Sequence, residues 1–168
     1  MTKTENPMRK IRIEKVVLSV GGVAEELEKG VKLLQLITGK KVAKLKSRKR
    51  IPNFGVRPNL EVGGVVTIRS GVNEFLKRML VAIDNTLKTK QISNNNFSFG
   101  IKEYIEIPKV EFQRDIGIRG LDVTVVFKRA GRRVRIKKIK AGKIPARQNI
   151  PKEEIIKFME ENFDTKFI

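Results

Sequence analysis

Two stretches of this sequence concentrate guanidinium and ammonium groups with no carboxylate to neutralise them. From Lys40 to Leu60 stand Lys40, Lys41, Lys44, Lys46, Arg48, Lys49, Arg50 and Arg57, and no acid. From Val123 to Lys152 stand Lys128, Arg129, Arg132, Arg133, Arg135, Lys137, Lys138, Lys140, Lys143, Arg147 and Lys152, again without an acid. The chain has 168 residues, 37 Lys plus Arg, 18 Asp plus Glu and a formal charge of +19, and these two stretches hold the entire surplus. The chemistry such groups perform is phosphate binding: guanidinium makes forked, charge-assisted hydrogen bonds to phosphate and stacks on bases, and ammonium adds a point charge. Without a polyanion the stretches repel themselves.

The residues that most enzymes need are missing. There is no Cys, His or Trp, so disulfides, the usual zinc, haem or iron–sulfur sites, imidazole general bases and thiolate nucleophiles are all excluded. Gly21-Gly22 follows a strand-like run but belongs to neither GxGxxG nor a Walker loop, and reads as a turn. Glu103 and Glu106 alternate with Tyr104, Ile105 and Ile107, which suits a strand with both acids facing solvent. Glu111, Asp115 and Asp122 match no EF-hand spacing. No metal and no cofactor are expected, and no enzymatic activity.

Apolar residues interrupt both basic stretches (Val42, Leu45, Ile51, Phe54; Val134, Ile136, Ile139, Ile144), which suits ordered segments on a surface better than solubilising tails. An anionic membrane would call for a basic amphipathic helix with an aromatic or leucine face, and none is apparent. The polar start MTKTENPMRK carries no apolar leader and no run approaches a bilayer span. A nucleic-acid binder inside the cell is the expectation.

The elements that must position these groups follow from periodicity. Lys10 to Val20 reads as a strand leading into Gly21-Gly22, and Val23 to Thr38 as a helix with Leu27, Val31 and Leu34 at helical spacing and Gly39 as its stop. Val42 to Lys46 and Val62 to Arg69 read as strands. Between them, Pro52, Gly55 and Pro58 make Ser47 to Asn59 an extended basic loop. The stripe Val72, Phe75, Leu76, Met79, Leu80, Ile83 and Leu87 predicts the longest helix. Phe97 to Ile101, Tyr104 to Ile107 and Leu121 to Lys128 read as strands, with Arg132 to Ile139 pairing with the last across Ala130-Gly131. Pro151, Glu153 and Glu154 open a final helix with the stripe Ile155, Ile156, Met159 and Phe163. The order β-α-β-β-α-β, with additions after it, is that of an α+β, ferredoxin-like split βαβ sandwich: an antiparallel sheet with helices on one face and a basic C-terminal extension over 129–168. Residues 1–168 read as one domain, and the sheet's other face is left for a partner such as RNA.

The motifs NPMRKIRIEKVVL, ITGKK, SRKRIPNFGVRPN, VGGVVTIR, EFLKRML, NFSFGIKEYIEIP, DIGIRGLDVTVVF and KIPARQ occur in that order over nearly the whole chain. In this the sequence resembles the fifth large-subunit ribosomal protein family, which binds 5S rRNA, in its archaeal and eukaryotic form. The resemblance implies a cytoplasmic, ribosome-bound structural protein of the central protuberance. Its 5S rRNA contacts would be Arg12, Lys15, Ser19, Lys40, Lys41, Thr67 and Arg69, with Ser19 and Lys40 standing where the family usually has Asn and Gln. Arg48, Lys49, Arg50, Pro52, Asn53, Phe54 and Arg57 would form the loop reaching P-site tRNA, and Lys109 to Gly120 would approach the small-subunit head in an intersubunit bridge. Arg132, Arg133, Arg135, Lys137, Lys138, Lys140 and Lys143 of the extension would meet other large-subunit rRNA. Neighbouring proteins of the central protuberance and of the small-subunit head would complete the partners. A free RNA chaperone or RNA-modifying enzyme is the alternative function, and a protein-interaction module a third.

The charge pattern generates a direct test. If about six of the surplus cations meet phosphate, raising salt from about 50 to 200 mM should lower affinity for isolated 5S rRNA on the order of a thousandfold in a filter-binding titration. A flat salt profile contradicts the electrostatic reading.

Overall fold

The computed structural model describes residues 6–168; the first five residues of the polar start lie outside the described residues. The chain runs β1 (Arg12–Gly21), α1 (Glu25–Thr38), β2 (Ala43–Lys46), β3 (Glu61–Ile68), α2 (Val72–Val81), β4 (Thr86–Leu87), β5 (Ile92–Ser93), β6 (Asn96–Ile101), β7 (Leu121–Lys128), α3 (Arg133–Ile136), α4 (Lys152–Phe163) and β8 (Lys166–Phe167). Six strands form one sheet in the order β2-β3-β1-β7-β6-β5, and β4 pairs with β8 in a small parallel ribbon. Every pairing in the large sheet is antiparallel. β1 and β2 therefore run parallel with β3 between them, which is the split βαβ unit, and β7 completes it on the far side of β1.

Alternation in the central strands decides which face is buried. Val16, Leu18 and Val20 of β1 lie level with Ile68, Val66 and Gly64 of β3, and all are buried. Val16 and Leu18 also face Val125 and Val123 of β7, which in turn face Phe97 and Phe99 of β6. On this face α1 packs against β1 and β3, and α2 against β1. At the far end Phe158 of α4 meets the Phe127 ring edge-on, with centroids 5.7 Å apart. The buried side chains of both halves and of α4 belong to one apolar cluster. Gly30 lets α1 sit this close, because a Cβ there would stand 2.5 Å from Cγ1 of Val20.

Several local expectations are corrected. The second helix stops at Val81 and, at 10 residues, is shorter than α1 and α4 rather than the longest: Asp84 and Asn85 both take left-handed backbone (φ 53°), so Ile83 falls in a turn and Leu87 in β4. Tyr104–Glu106 is a 3-10 turn, not a strand, and its buried Tyr104 stands three residues before Ile107, the buried residue that follows the turn, as that helical spacing requires. Arg133–Ile136 is a helical turn rather than a strand paired with β7. β7 has β1 on one edge and β6 on the other, so no edge is open to it. The additional strands are inserted before the fourth strand of the motif, because β7 rather than β6 pairs with β1. The segment 47–59 is more ordered than an extended loop. Ile51 and Val56 exchange two backbone hydrogen bonds (2.9 and 3.1 Å) around a 3-10 tip at Pro52–Phe54, closed by Gly55 at φ 63°.

Gly30→Ala tests the packing of α1. The exchange gains about 1 kcal/mol of helix propensity but forces a methyl into a rigid β-branched neighbour, an overpacking cost of about 1–3 kcal/mol. Urea unfolding should show a net loss of stability, and Gly30→Ala should cost less when introduced into Val20→Ala than into the parent chain, because the clash with Cγ1 is then absent.

Candidate nucleic-acid interface

The open face of the sheet carries the residues that alternate with the core. Level with one another stand Val17, Thr67 and Thr124, then Ser19, Val65 and Asp122. Ser98 and Gly100 of β6 extend these rows, Ser98 Oγ lying 3.0 Å from Thr124 Oγ1. The middle of the face is thus low and hydroxyl-rich, with room for a ribose–phosphate edge to approach.

Its cations gather at one end. Arg12 pairs with Lys128, and Lys15 with Val126, across a bulge at Glu14. The extra residue puts Arg12 and Lys15 on the same face although they are three apart, an odd spacing that ordinary alternation would split. Arg69 follows Ile68, the partner of Val16, and so continues β3 beside the same end. Lys40 and Lys41 precede Ala43 and lie on the Arg12 side of β2. Arg12, Lys15 and Arg69 are therefore brought to one end of the sheet, Thr67 lies nearer its middle, level with Val17, and Lys40 and Lys41 approach that level beyond β3. Ser19 is one row further on, level with Val65 and opposite Asp122, whose carboxylate leaves that row less favourable to phosphate. Lys128 joins the cluster although sequence reasoning did not single it out; its parity with Thr124 and Val126 was the available signal.

The hairpin at 47–59 leaves from the opposite end, since β2 runs parallel to β1 and ends level with Glu61, beyond the Gly21–Gly63 pair. Over the ten residues of β1, at about 3.3 Å each, Arg12 and the base of the hairpin are separated by roughly 30 Å. Arg48, Lys49, Arg50 and Arg57 are exposed on the hairpin, as are Pro52 and Asn53, and Phe54 at its tip is 74% exposed. Ser47 steadies its base, donating its hydroxyl to the Lys49 carbonyl at 2.7 Å while its amide donates to Leu60 at 2.8 Å.

The extension begins where β7 ends, beside the Arg12 cluster. Arg132 pairs with Glu14 at 2.6 Å and donates to the Phe127 carbonyl at 3.2 Å. Arg129 pairs with Glu154 and donates to the Arg147 carbonyl. These two arginines tie the extension to β1 and α4, whereas Arg133, Arg135, Lys137, Lys138, Lys140 and Lys143 are exposed and make no ion pair among the described residues. The segment 108–120 is pinned by Tyr104, whose hydroxyl accepts from the Gln113 amide at 2.9 Å. Glu103 and Glu106 are both exposed, off any strand. Among the described residues no group of three or more carboxylates is arranged to hold a metal ion, and no helix is long and apolar enough to cross a membrane.

This architecture has relatives. Residues 6–57 match the family model for ribosomal protein L5, and residues 61–158 match the model for the C-terminus of the same ribosomal family. The chain belongs to the ribosomal L5 family. It is 40% identical to large ribosomal subunit protein uL5 of Nanoarchaeum equitans, covering 98% of this chain and 99% of that one. Identity is also 40% with uL5 of Sulfolobus acidocaldarius (99% and 96% covered) and 34% with that of Methanobrevibacter smithii (97% and 98%). Membership makes this chain a structural, rRNA-binding constituent of the large ribosomal subunit and not an enzyme. The two family models meet just before β3, yet the core they contribute to is shared.

Lys128→Glu tests whether the register-defined cluster is the phosphate-binding end. It should weaken rRNA binding as much as Lys15→Glu does, and more than Lys90→Glu at an exposed site outside the cluster, with unchanged circular dichroism. Equal effects at all three positions would reduce the cluster to net charge alone.

Proposed function

We propose that the open face holds 5S rRNA in the central protuberance, with Arg12, Lys15, Lys40, Lys41, Arg69 and Lys128 on phosphates and Thr67 and Ser19 on sugar or base edges. The observation that carries this reading is the charge gradient along the face: cations at the β1 start, hydroxyls in the middle and Asp122 beyond. A structured RNA helix can lay its backbone on such an end and its shallow minor groove along the hydroxyls, where 2′-OH groups find partners.

The hairpin is the arm toward P-site tRNA. Its support is mechanical as well as electrostatic: a tip closed by the Ile51–Val56 pair carries an exposed phenyl ring and four cations away from the sheet. An aromatic ring adds about 1–3 kcal/mol when it stacks on a base. The segment 109–120 is the intersubunit contact, supported by exposed Phe112 and Ile118 held out by the Tyr104–Gln113 bonds. Large-subunit rRNA neutralises the extension, and proteins of the central protuberance and small-subunit head complete the surroundings.

Thr67→Val and Arg69→Ala should each weaken 5S rRNA binding about tenfold, while Glu103→Gln with Glu106→Gln leaves it unchanged. Replacing Arg48, Lys49, Arg50 and Arg57 by Ser should spare thermal stability, because exposed charges contribute little to folding, and should spare 5S incorporation. P-site tRNA should dissociate faster from reconstituted subunits. Loss of 5S incorporation with unchanged tRNA dissociation from the complete particles would assign the hairpin to rRNA instead.

A further inference from the structure

Between the end of β7 and the extension lies a cleft of about 400 Å³ that the hairpin does not touch and that shares Lys128 with the open face. This is within the range of about 300–1,000 Å³ typical of small-ligand sites, and larger than a lone phosphate requires. Its walls bring together the cations Arg129, Arg132, Arg135 and Lys143 with the carboxamides Gln148 and Asn149.

The Arg129 side chain is only 9% exposed, and its Nε has no hydrogen-bond partner. Arg135 and Lys143 are exposed at the rim and make no ion pair among the described residues. The Gln148 side chain makes no hydrogen bond among the described residues, and Asn149, which accepts from Asn95 Nδ2 at 3.3 Å, keeps its own amide donors. Carboxamides paired with fixed cations match a nucleotide: the amide reads a base edge and the cations hold its phosphate. Lys128 lines the cleft and also belongs to the phosphate-binding end of the open face. A strand leaving that face therefore meets the cleft directly.

We propose that this cleft receives one extruded nucleotide of an unpaired RNA segment, its phosphate on Arg135 and Lys143 and its base edge on Gln148 and Asn149. The proposal rests on the rRNA-binding reading and deepens it: a duplex lies on the open face, and a single unstacked residue enters the cleft. An intact duplex cannot enter, because its bases are stacked and its backbone is convex.

The test titrates the full chain with a mixed-sequence single-stranded RNA carrying one photoreactive thiouridine, and with a duplex of equal phosphate number. Gln148→Ala removes a side chain with no structural partner and no charge. It should lower single-strand affinity about tenfold and leave both duplex affinity and thermal midpoint unchanged. Arg135→Ala should reduce the salt slope for the single strand by about one. Crosslinks should fall within residues 142–149. A nucleoside monophosphate should displace the strand at concentrations where inorganic phosphate does not. Equal losses on strand and duplex, crosslinks confined to the open face, or equal displacement by inorganic phosphate would each overturn the proposal. Lys15→Ala and Arg69→Ala, measured on 5S rRNA in parallel, report on the open face separately, so either reading can fail alone.

Discussion

Val16, Leu18 and Val20 are buried on one side of β1, and Lys15, Val17 and Ser19 stand between them on the other. Because side chains alternate with a period of two, a slip of one residue against β3 or β7 would send the core triad to solvent and carry Lys15 and Ser19 into the apolar layer. Burying that triad is worth roughly 1.5–3 kcal/mol for each side chain, so the register is held firmly. Everything on the open face inherits its position from this hydrophobic constraint. Thr67 and Thr124 are level with Val17 because Val66 and Val123 are level with Leu18.

The bulge at Glu14 is where that strict alternation is relaxed. It brings Arg12 to the face of Lys15 and leaves the inserted carboxylate to pair with Arg132. A half-buried pair of this kind fixes geometry more than it adds stability, and here it sets the extension beside the cationic end of the sheet. Arg129 with Glu154 and Arg119 with Glu26 do the same for α4 and for the 108–120 segment. The chain thus uses a few arginines internally to aim the remaining cations outward, where their mutual repulsion makes a polyanion the natural complement.

The two acid-free stretches do not map onto two surfaces. β2 runs through the first, so Lys40 and Lys41 stay near the Arg12 end and the hairpin cations are carried to the other. A span of roughly 30 Å from Arg12 to the hairpin base places cations at both ends of one small protein. The connection between them is the rigid sheet, not a flexible linker.

From the sequence alone came the charge surplus and its two locations, the absence of thiol and imidazole chemistry, the long strands and helices, and the split βαβ order. Those are legible because they depend on composition and on period: the stripe from Val72 to Leu80 can only be a helix, and the alternation from Leu121 to Phe127 only a half-buried strand. What escaped it were features without a local code. Arg132 to Ile139 alternates like a strand, yet both edges of β7 are already occupied. Tyr104 to Ile107 is apolar enough to read as a strand, but Tyr104 and Ile107 are buried three apart in a helical turn. That Lys128 stands with Arg12, that Arg132 is bound to Glu14 and that Gln148 faces a cationic cleft depend on strand order and on a bulge. Strand order comes from long-range pairing, where non-neighbouring segments compete for the same edges, and only the folded sheet settles which of them meet.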